Sequence, residues 1–284
     1  LLDELIDPAL GAHIPDATEL DAAVERILAA GHDTESVLNA LNYLKLATEL
    51  RVAVGQLQKG VDARAAQHAL TNLACAILRG VLSVAACEIE KRHGRFFPAD
   101  KASNGGGMAV IGYGTLGARA LSYGSDLDIV FLFEKSAGTS DGARSLTPEQ
   151  YYARWAQRML SFLTVMTPSG RLYEVDTRLR PNGRAGSLVS NLDAFREYQE
   201  KQAWTWEWQA LTRARFIAGN PSLRAGFERA RADVLCRHRD EEALAADMLD
   251  MRRKMAANLE SGADADTERD EKHGAGGLID IEFI

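Results

Sequence analysis

Residues 108–134 read MAVIGYGTLGARALSYGSDLDIVFLFE, and this stretch decides the fold. It holds two short apolar runs, at residues 108–111 and 128–133, whose β-branched and aromatic residues predict strands. A glycine-rich segment and the turn Gly124-Ser125 separate the two runs. Because most of the remaining chain has helical patterns, this pair of strands predicts an α+β fold with a mixed sheet and helices.

The first hundred residues have the apolar spacing that is typical of helices. Asp16 is a candidate N-cap, and Gly31 is a candidate end for the first helix. Further apolar positions predict a second helix and a long third helix that runs toward Gly94. We therefore expect a helical leader over residues 1–104, with a hinge at residues 104–107.

Strand and helix patterns both occur after the first pair of strands. Thr147 and Pro148 mark the start of a helix. The further segments are a helix to about residue 165, strands at 172–178 and 187–190, helices at 204–216, 223–234 and 244–259, and a polar loop at 261–272. The predicted order is the leader, an α+β domain over residues 105–200 and a helical bundle over residues 201–284, which is incomplete at its C-terminal end.

Composition narrows the class of protein. Of the 284 residues, 46% are hydrophobic and 26% are charged, which is the balance of a globular protein with a sizeable core. The net charge is −7 without a broad basic stripe, so we expect no nucleic-acid partner. No apolar stretch of about 18 residues is uninterrupted, and the first residues are acidic, so we expect no membrane partner and a cytoplasmic location. The missing initiator Met and the apolar end predict a fragment of a longer chain.

The glycine-rich segment at residues 112–117, GYGTLG, matches the G-x-G-x-x-G pattern of dinucleotide-binding proteins. An NAD-dependent dehydrogenase is therefore one interpretation. Three features disfavour it. Only about a dozen residues separate Gly112 from Gly124, the flanking regions are helical, and the second strand opens with two acids.

Asp126 and Asp128 lie at the start of the second predicted strand. Residues two apart in a strand point the same way, so these two carboxylates lie close together. Two such charges repel unless a cation lies between them, and Mg²⁺ prefers hard carboxylate oxygens. Gly124 and Ser125 offer backbone N–H groups and a hydroxyl to a phosphate chain. The pattern indicates metal-dependent phosphoryl chemistry, and the alternatives are a solvated strand end or a calcium-like loop.

A third carboxylate, Asp176, lies in the alternating segment 172–178 and could complete a two-metal site. The surrounding residues 171–184 contain four arginines and two acids. Guanidinium groups match phosphate oxygens, so Arg178, Arg180 and Arg184 are candidates to neutralise pyrophosphate. A surface cluster of ion pairs is the alternative.

The acids and their surroundings are similar to a known family. The Gly-Ser turn with Asp126, Asp128 and the distal Asp176 resembles the DNA polymerase β-type nucleotidyltransferase superfamily. Longer strings resemble glutamine synthetase adenylyltransferase more specifically: VIGYGTLGARALSYGSDLDIVFLFE (110–134), YEVDTRLRPNGRAGSLVSNLDAFREYQ (173–199), AWTWEWQALTRARFIAGNP (203–221) and GGLIDIEFI (276–284). The similarity covers essentially the whole chain, beginning with LLDELIDPAL.

This resemblance implies a polymerase β-like nucleotidyltransferase domain between the leader and the bundle. Family members have two homologous halves, of which one adds AMP from ATP to a tyrosine of glutamine synthetase and the other removes it by phosphorolysis. The strings at residues 173–181 and 205–211 resemble the adenylylating half. The implied cofactor is Mg²⁺ and the implied partners are ATP and glutamine synthetase, with the PII signalling protein and glutamine as regulators of the full-length protein.

The resemblance also implies roles for particular residues. The catalytic and metal-binding residues are Asp126, Asp128 and Asp176, and the nucleotide-binding residues are Gly112, Gly114, Gly124, Ser125, Arg178, Arg180 and Arg213. Thr115 departs from the family's usual Lys in G-Y-G-K-L-G. The roles of Glu207, Arg213 and Arg215 stay open between ligand contact and a structural ion pair. We expect Lys272 and the run 276–282, which includes Asp280 and Glu282, to close the site from the helical side, and their individual roles also stay open. Two alternative functions are the deadenylylating half and a non-catalytic module that binds nucleotide or a regulator.

Overall fold

The computed structural model describes residues 13–58, 60–96, 107–136, 138–260, 276–277 and 280–281. The elements within these residues are α1 (Ala17–Ala30), α2 (Thr34–Gln58), α3 (Ala63–His93), β1 (Met108–Gly112), α4 (Gly114–Gly117), β2 (Leu127–Phe133), α5 (Pro148–Thr164), β3 (Val175–Asp176), a 3₁₀ turn (Gly183–Ala185), β4 (Val189–Asn191), α6 (Leu192–Lys201), α7 (Thr205–Thr212), β5 (Arg215–Gly219), α8 (Pro221–Leu235) and α9 (Glu241–Glu260). The molecule is a mixed α+β fold, as the sequence predicted.

Helix boundaries follow the local capping signals. The Asp16 carboxylate accepts a hydrogen bond from the backbone N–H of Glu19, and the Glu19 carboxylate accepts one from Asp16, which forms a capping box at the start of α1. Gly31 is the C-cap of the same helix. Thr147 caps α5 in the same way, with proline at the first helical position. These predictions are confirmed.

The strands form one mixed sheet in the order β3-β2-β1-β5, and β4 also pairs with β2. Strand β1 runs antiparallel to both β2 and β5. The short strands β3 and β4 run parallel to β2, with β3 beside its first residues and β4 beside its last. Because β1 and β2 are antiparallel, the segment between them is no βαβ crossover, and the dinucleotide-binding interpretation fails.

Both faces of the sheet are covered, which explains why β1 and β2 are apolar at almost every position. One face packs against α3 and α5 in a core that includes Val110, Phe131 and Leu73. The other face packs against α6, α7 and α8, with Ile111 and Phe227 in its core. The period of two along each strand thus sorts the side chains between two helical layers.

The sequence prediction was wrong at residues 204–216. Helix α7 ends at Thr212, and residues 215–219 form strand β5 on the open edge of β1. Arg213 is therefore a helix C-cap and Arg215 a strand residue, where one continuous helix was expected. Pairing with β1 buries Ile217 and Ala218, and this tertiary contact overrides the helical pattern. The predicted strand at 172–178 is also shorter, since only Val175–Asp176 pairs.

Helix α3 is long and apolar enough to cross a membrane by length and composition, with a mean hydropathy of 1.7 in its most apolar window. Of that window, 67% is buried inside the protein. Its burial between α1, α2, α5 and the sheet explains the apolar composition by packing. The predicted hinge at 104–106, the loop at 261–272, Lys272 and Glu282 lie outside the described residues.

Candidate active site

Pairing of β2 with β3 makes Asp128 and Asp176 direct neighbours. Paired residues on adjacent strands lie about 5 Å apart, so the two acids start from adjacent backbone positions. Asp126, one residue before β2, lines the same cleft of about 470 Å³ as Asp176. The residues that line the cleft are Asp126, Glu174, Val175, Asp176, Thr177, Arg178, Arg180 and Arg184. The three acids that the sequence singled out thus lie at one end of the sheet.

Arg178 binds both carboxylate oxygens of Asp176. Its backbone N donates to Oδ1 at 2.8 Å and its Nε donates to Oδ2 at 2.6 Å. Burial works against ionisation of Asp176, but these hydrogen bonds and the charge of Arg178 outweigh it and lower the pKa of the carboxyl. The pKa of Arg178 is raised by Asp176 and further by the charges of Asp128 and Asp126. One guanidinium therefore lies within the field of all three acids.

These acids could hold a divalent cation, because hard carboxylate oxygens on neighbouring strands suit Mg²⁺. Within the described part of the chain, no group of three or more His, Cys, Asp and Glu side chains is already arranged around a metal position. At this site the backbone N–H of Arg178 is hydrogen-bonded to Oδ1 of Asp176, and its guanidinium group is hydrogen-bonded to Oδ2. The Arg178 side chain is 64% exposed, so the guanidinium group can move away and release Oδ2, while the backbone N–H stays on Oδ1.

The glycines of the G-x-G-x-x-G pattern serve close packing. A Cβ added at Gly114, which has φ +51°, would lie 2.3 Å from Oδ2 of Asp128. One at Gly117 would lie 2.0 Å from the carbonyl oxygen of Arg213. One at Gly112 would lie 2.9 Å from side chains of α4 and β5. The pattern therefore brings the backbone against the acid of β2 and against the start of β5.

Arg215 holds the same glycine segment from β5. Its guanidinium donates to the carbonyl oxygens of Leu116 at 3.0 Å and Gly117 at 3.2 Å. These are C-terminal carbonyls of the single-turn helix α4, where a cation also complements the helix dipole. Arg215 therefore caps the C-terminal end of α4.

The turn before the acids presents an accessible surface. Gly124 has φ +71°, and no atom lies within 4 Å of a Cβ built on it. The Ser125 hydroxyl accepts a hydrogen bond from the backbone N–H of Ser122 at 3.1 Å, which leaves its own hydrogen to donate to a ligand. The turn can therefore bring backbone and hydroxyl donors close to an anion.

Leader helices hold this turn in place. The buried Thr71 hydroxyl on α3 accepts a hydrogen bond from the backbone N–H of Leu121 at 3.3 Å. The Tyr123 hydroxyl donates to Gln56 on α2 at 2.8 Å. Sequence reasoning missed both contacts, although a polar Thr71 within an apolar helical stretch was an available signal. The leader is therefore part of the framework of the site.

The arginine loop, residues 177–186, is fixed from two sides. Within it, the Arg180 guanidinium donates to the carbonyl oxygens of Thr177 at 2.8 Å and Gly186 at 3.3 Å. From outside, Tyr198 of α6 lies beside the loop, and it lines one pocket together with Asn182. Arg180 thus closes the loop on itself, whereas Arg178 and Arg184 are exposed at the cleft.

Tyr198 connects this loop to a buried acid. Its hydroxyl donates to Glu207 at 2.9 and 3.1 Å, and the same carboxylate accepts from the backbone N–H of Trp204 at 2.9 Å. Burial raises the pKa of Glu207 above its ordinary value. Glu207 therefore has a structural role beside the loop. Asp280 pairs with Arg252, and neither residue lines the cleft.

The arrangement has the chemical elements of phosphoryl transfer. Neighbouring carboxylates can hold a cation, a Gly-Ser turn can receive phosphate oxygens, and a loop supplies guanidinium groups. All of these groups lie at one end of β2, on a framework of buried strands and helices.

The chain is similar to known proteins along its whole length. A family model described as glutamate-ammonia ligase adenylyltransferase matches residues 1–230. Similar relatives are each named bifunctional glutamine synthetase adenylyltransferase/adenylyl-removing enzyme, and they come from Stenotrophomonas maltophilia (45% identical over 287 residues), Pseudomonas aeruginosa (42% over 297) and Hahella chejuensis (42% over 290). Each match covers 100% of this chain but 30% of the relative, so the chain spans less than a third of their length.

Proposed function

Because the chain belongs to the glutamate-ammonia ligase adenylyltransferase family, we propose that it transfers AMP from ATP to a tyrosine hydroxyl of glutamine synthetase. The hydroxyl oxygen forms a bond to the α-phosphorus of ATP, and the bond from that phosphorus to the bridging oxygen breaks. Pyrophosphate leaves, and the phenolic proton passes to a nearby base. The relatives' shared name supports glutamine synthetase as the acceptor.

The observation that carries this proposal is the pairing of Asp128 with Asp176, with Asp126 in the same cleft. Asp126 and Asp128 would hold Mg²⁺, and Asp176 would complete the site after Arg178 releases it. The cation, when bound, would supply charge neutralisation at the phosphates and lower the pKa of the attacking hydroxyl. Deprotonated Asp176, with its lowered pKa, is suited to orient that hydroxyl.

The chain's other groups position the nucleotide. The Gly124-Ser125 turn donates hydrogen bonds to phosphate oxygens, and Arg178 neutralises the charge that develops on them. Arg178 thus exchanges Asp176 for phosphate as its partner. The loop geometry that Arg180 and Tyr198 maintain keeps this guanidinium beside the acids.

Label transfer tests the proposal. The chain is mixed with glutamine synthetase, ATP labelled in the α-phosphate and Mg²⁺, and label in the acceptor is measured. We expect transfer by the wild type and loss of at least about a hundredfold in Asp126→Asn and Asp176→Asn, since a missing catalytic carboxylate typically costs that much. Asp193→Asn, an acid in the first turn of α6, is the matched control. Transfer that persists in both cleft variants would exclude this mechanism.

The reverse process is the second candidate, because the relatives' name includes adenylyl removal. In that reaction inorganic phosphate attacks the phosphorus of AMP-tyrosine, and ADP and free tyrosine are the products. The resemblance of residues 173–181 and 205–211 to the adenylylating half favours transfer. Incubating adenylylated glutamine synthetase with phosphate and measuring ADP distinguishes the two directions.

The same proposal includes the location and the partners of the protein. We propose that it acts in the cytoplasm, that its partners are ATP and glutamine synthetase, and that it binds neither nucleic acid nor a membrane. Regulation by the PII signalling protein and glutamine would act on the longer polypeptide. A non-catalytic binding module would keep its ATP affinity in Asp128→Asn and show no turnover in the wild type, so the same assay separates it from an enzyme.

A further inference from the structure

A cavity of about 780 Å³ lies between α1 and α2 of the leader, and we call it the leader groove. Its apolar wall residues include Ala23, Ile27 and Ala30 of α1 and Ala40, Leu44 and Ala47 of α2. On each helix these positions recur every three or four residues, so they form one stripe. Each helix buries a different stripe in the core, which includes Leu20 and Val24 of α1 and Leu38 and Leu41 of α2. The stripes of the leader groove therefore form a second apolar surface, of the kind that marks a contact with another segment or protein.

We propose that residues 1–12 of the same chain, LLDELIDPALGA, pack into the leader groove. These residues lie outside the described part of the chain, which begins at His13. Pro15 lines the leader groove, so the chain enters the described fold beside it. This contact is independent of the reaction that the acids catalyse.

The length of the segment is sufficient for this contact. Helix α1 has 14 residues and is therefore about 21 Å long. Twelve residues can extend over about 40 Å, so the segment can reach any point along the leader groove. Because the segment is attached beside the groove, its effective concentration there is on the order of millimolar, which favours it over a separate molecule.

The apolar residues of the segment have the spacing of one face of a short helix. Leu1 and Leu5 are four residues apart, as are Leu2 and Ile6, so the four side chains share a face in a helical conformation. Pro8 ends this pattern. So short a helix is marginal in water and becomes stable only when its apolar face is covered. A hydrophobic groove between two helices supplies such a cover.

The charges of the groove and of the segment are complementary. Among the described residues that line the leader groove there is no acid, and the basic ones are Arg26, His32 and Arg51. The segment has no basic residue, and its acids are Asp3, Glu4 and Asp7. The chain as a whole has a net charge of −7, so this basic lining departs from the overall composition. Opposite charges around an apolar contact orient the occupant and select it over others.

Photo-cross-linking in the full chain tests the proposal. The photoreactive residue benzoylphenylalanine replaces Tyr43, which lines the leader groove and is 45% exposed. In a matched control it replaces Tyr123, which is 46% exposed and does not line the groove. After irradiation of mixed isotope-labelled and unlabelled chains, mass spectrometry identifies the joined peptides. We expect position 43 to be joined to residues 1–12 of the same chain, and position 123 not to be joined to them.

Two results of this experiment would overturn the proposal. A cross-link from position 43 to another chain, with none to residues 1–12 of its own, would identify a second copy as the occupant. The absence of any cross-link between position 43 and residues 1–12 would show that the segment does not lie in the leader groove.

Melting temperatures provide an independent test. Ile6→Asp places a charge on the apolar face of the segment, and we expect the melting temperature to fall by about 3 °C or more. Ala9→Asp is the matched control, because it adds the same charge to the segment beyond Pro8, and it should melt close to the wild type. Equal melting temperatures for the two variants would overturn the proposal, because no apolar contact of Ile6 would then have been lost.

Discussion

Gly114 lies against the carboxylate of Asp128, with room for a hydrogen but none for a methyl group, since a Cβ there would stand 2.3 Å from Oδ2. The backbone N–H of Tyr113 also donates to the carbonyl oxygen of Asp128 at 2.8 Å. The glycine-rich segment and the acid of β2 are therefore one packed unit. This contact explains a G-x-G-x-x-G pattern between two antiparallel strands, β1 and β2, where no parallel crossover follows the first strand.

Replacement of Gly114 by alanine should displace Asp128 and nearly abolish adenylyl transfer. We expect a loss of about a hundredfold, the effect of roughly 1 Å of misplacement, and a stability cost of about 1 kcal/mol or more from the positive φ. Activity assays and thermal melts measure the two effects. Gly138→Ala is the control, because Gly138 also has positive φ but nothing within 4 Å of an added Cβ. Equal activity in the two variants would contradict this explanation.

Replacement of Arg178 by methionine should move the pH dependence of transfer. Arg178 lowers the pKa of Asp176, so its removal raises that pKa and the carboxyl protonates at higher pH. If ionised Asp176 is required, the acidic limb of kcat/KM moves to higher pH in the variant. Arg184→Met should move the limb less, because Arg184 acts on Asp176 only by its charge and is the weakest contributor. If the acidic limb of the kcat/KM profile lies at the same pH in Arg178→Met and in the wild type, ionised Asp176 is not an essential group.

Replacement of Tyr198 by phenylalanine should loosen the arginine loop without removing any arginine. The lost hydroxyl donates to Glu207 and holds Tyr198 beside Asn182 of the loop, so we expect KM for ATP to rise by roughly fivefold, the equivalent of one hydrogen bond. Steady-state kinetics at varied ATP measure it. Tyr151→Phe removes a hydroxyl that donates to Gly94, which is not part of the loop, and should lower stability with KM unchanged. If Tyr198→Phe has the same KM for ATP as the wild type, the loop is held by other contacts.

Replacement of Glu88 by glutamine should remove a pH-dependent part of the stability. Burial opposes ionisation of Glu88, but hydrogen bonds from Arg158 and Thr34 outweigh it and place its pKa below the ordinary 4.5. Its stabilising contribution is therefore present above pH 4.5 and is lost as pH falls through the lower, folded-state pKa.

At pH 7 we expect Glu88→Gln to unfold with about 1 kcal/mol less free energy than the wild type, as for one lost hydrogen bond, and we expect the difference to shrink toward pH 3. Denaturant titrations at several pH values measure it. Arg158→Met should lower the free energy of unfolding less when it is introduced into Glu88→Gln than when it is introduced into the wild type, because its partner carboxylate is already absent. A difference between wild type and Glu88→Gln that persists at low pH would assign the loss to packing.

Much of the fold could be predicted because its signals are local. The capping box of Asp16, the Thr147 cap and the apolar runs of β1 and β2 each lie within a few contiguous residues. The acids were also recognisable, since Asp126 and Asp128 adjoin one strand and Asp176 lies on an alternating segment.

Other features were hidden because they depend on partners distant in the chain. In the sequence, the residues of β5 have the pattern of a helix end, and only their pairing with β1 makes them a strand. Likewise, Arg215 has the pattern of a cation on a helix face, and only the structure shows its contact with α4. The leader groove is hidden for the same reason, since the apolar positions of α1 and α2 form it only where the two helices lie side by side.

By itself, the amino-acid sequence determined the α+β class, both ends of α1 and the start of α5, because hydrogen-bonding caps and apolar periods act over a few residues. It also singled out three acids as candidates. Only the tertiary structure decided which residues meet. The parallel pairing of β2 with β3 placed Asp128 beside Asp176, and Arg178 took both oxygens of the latter. Strand register and side-chain partners are set by packing across the whole molecule, and no short stretch of the chain contains that information.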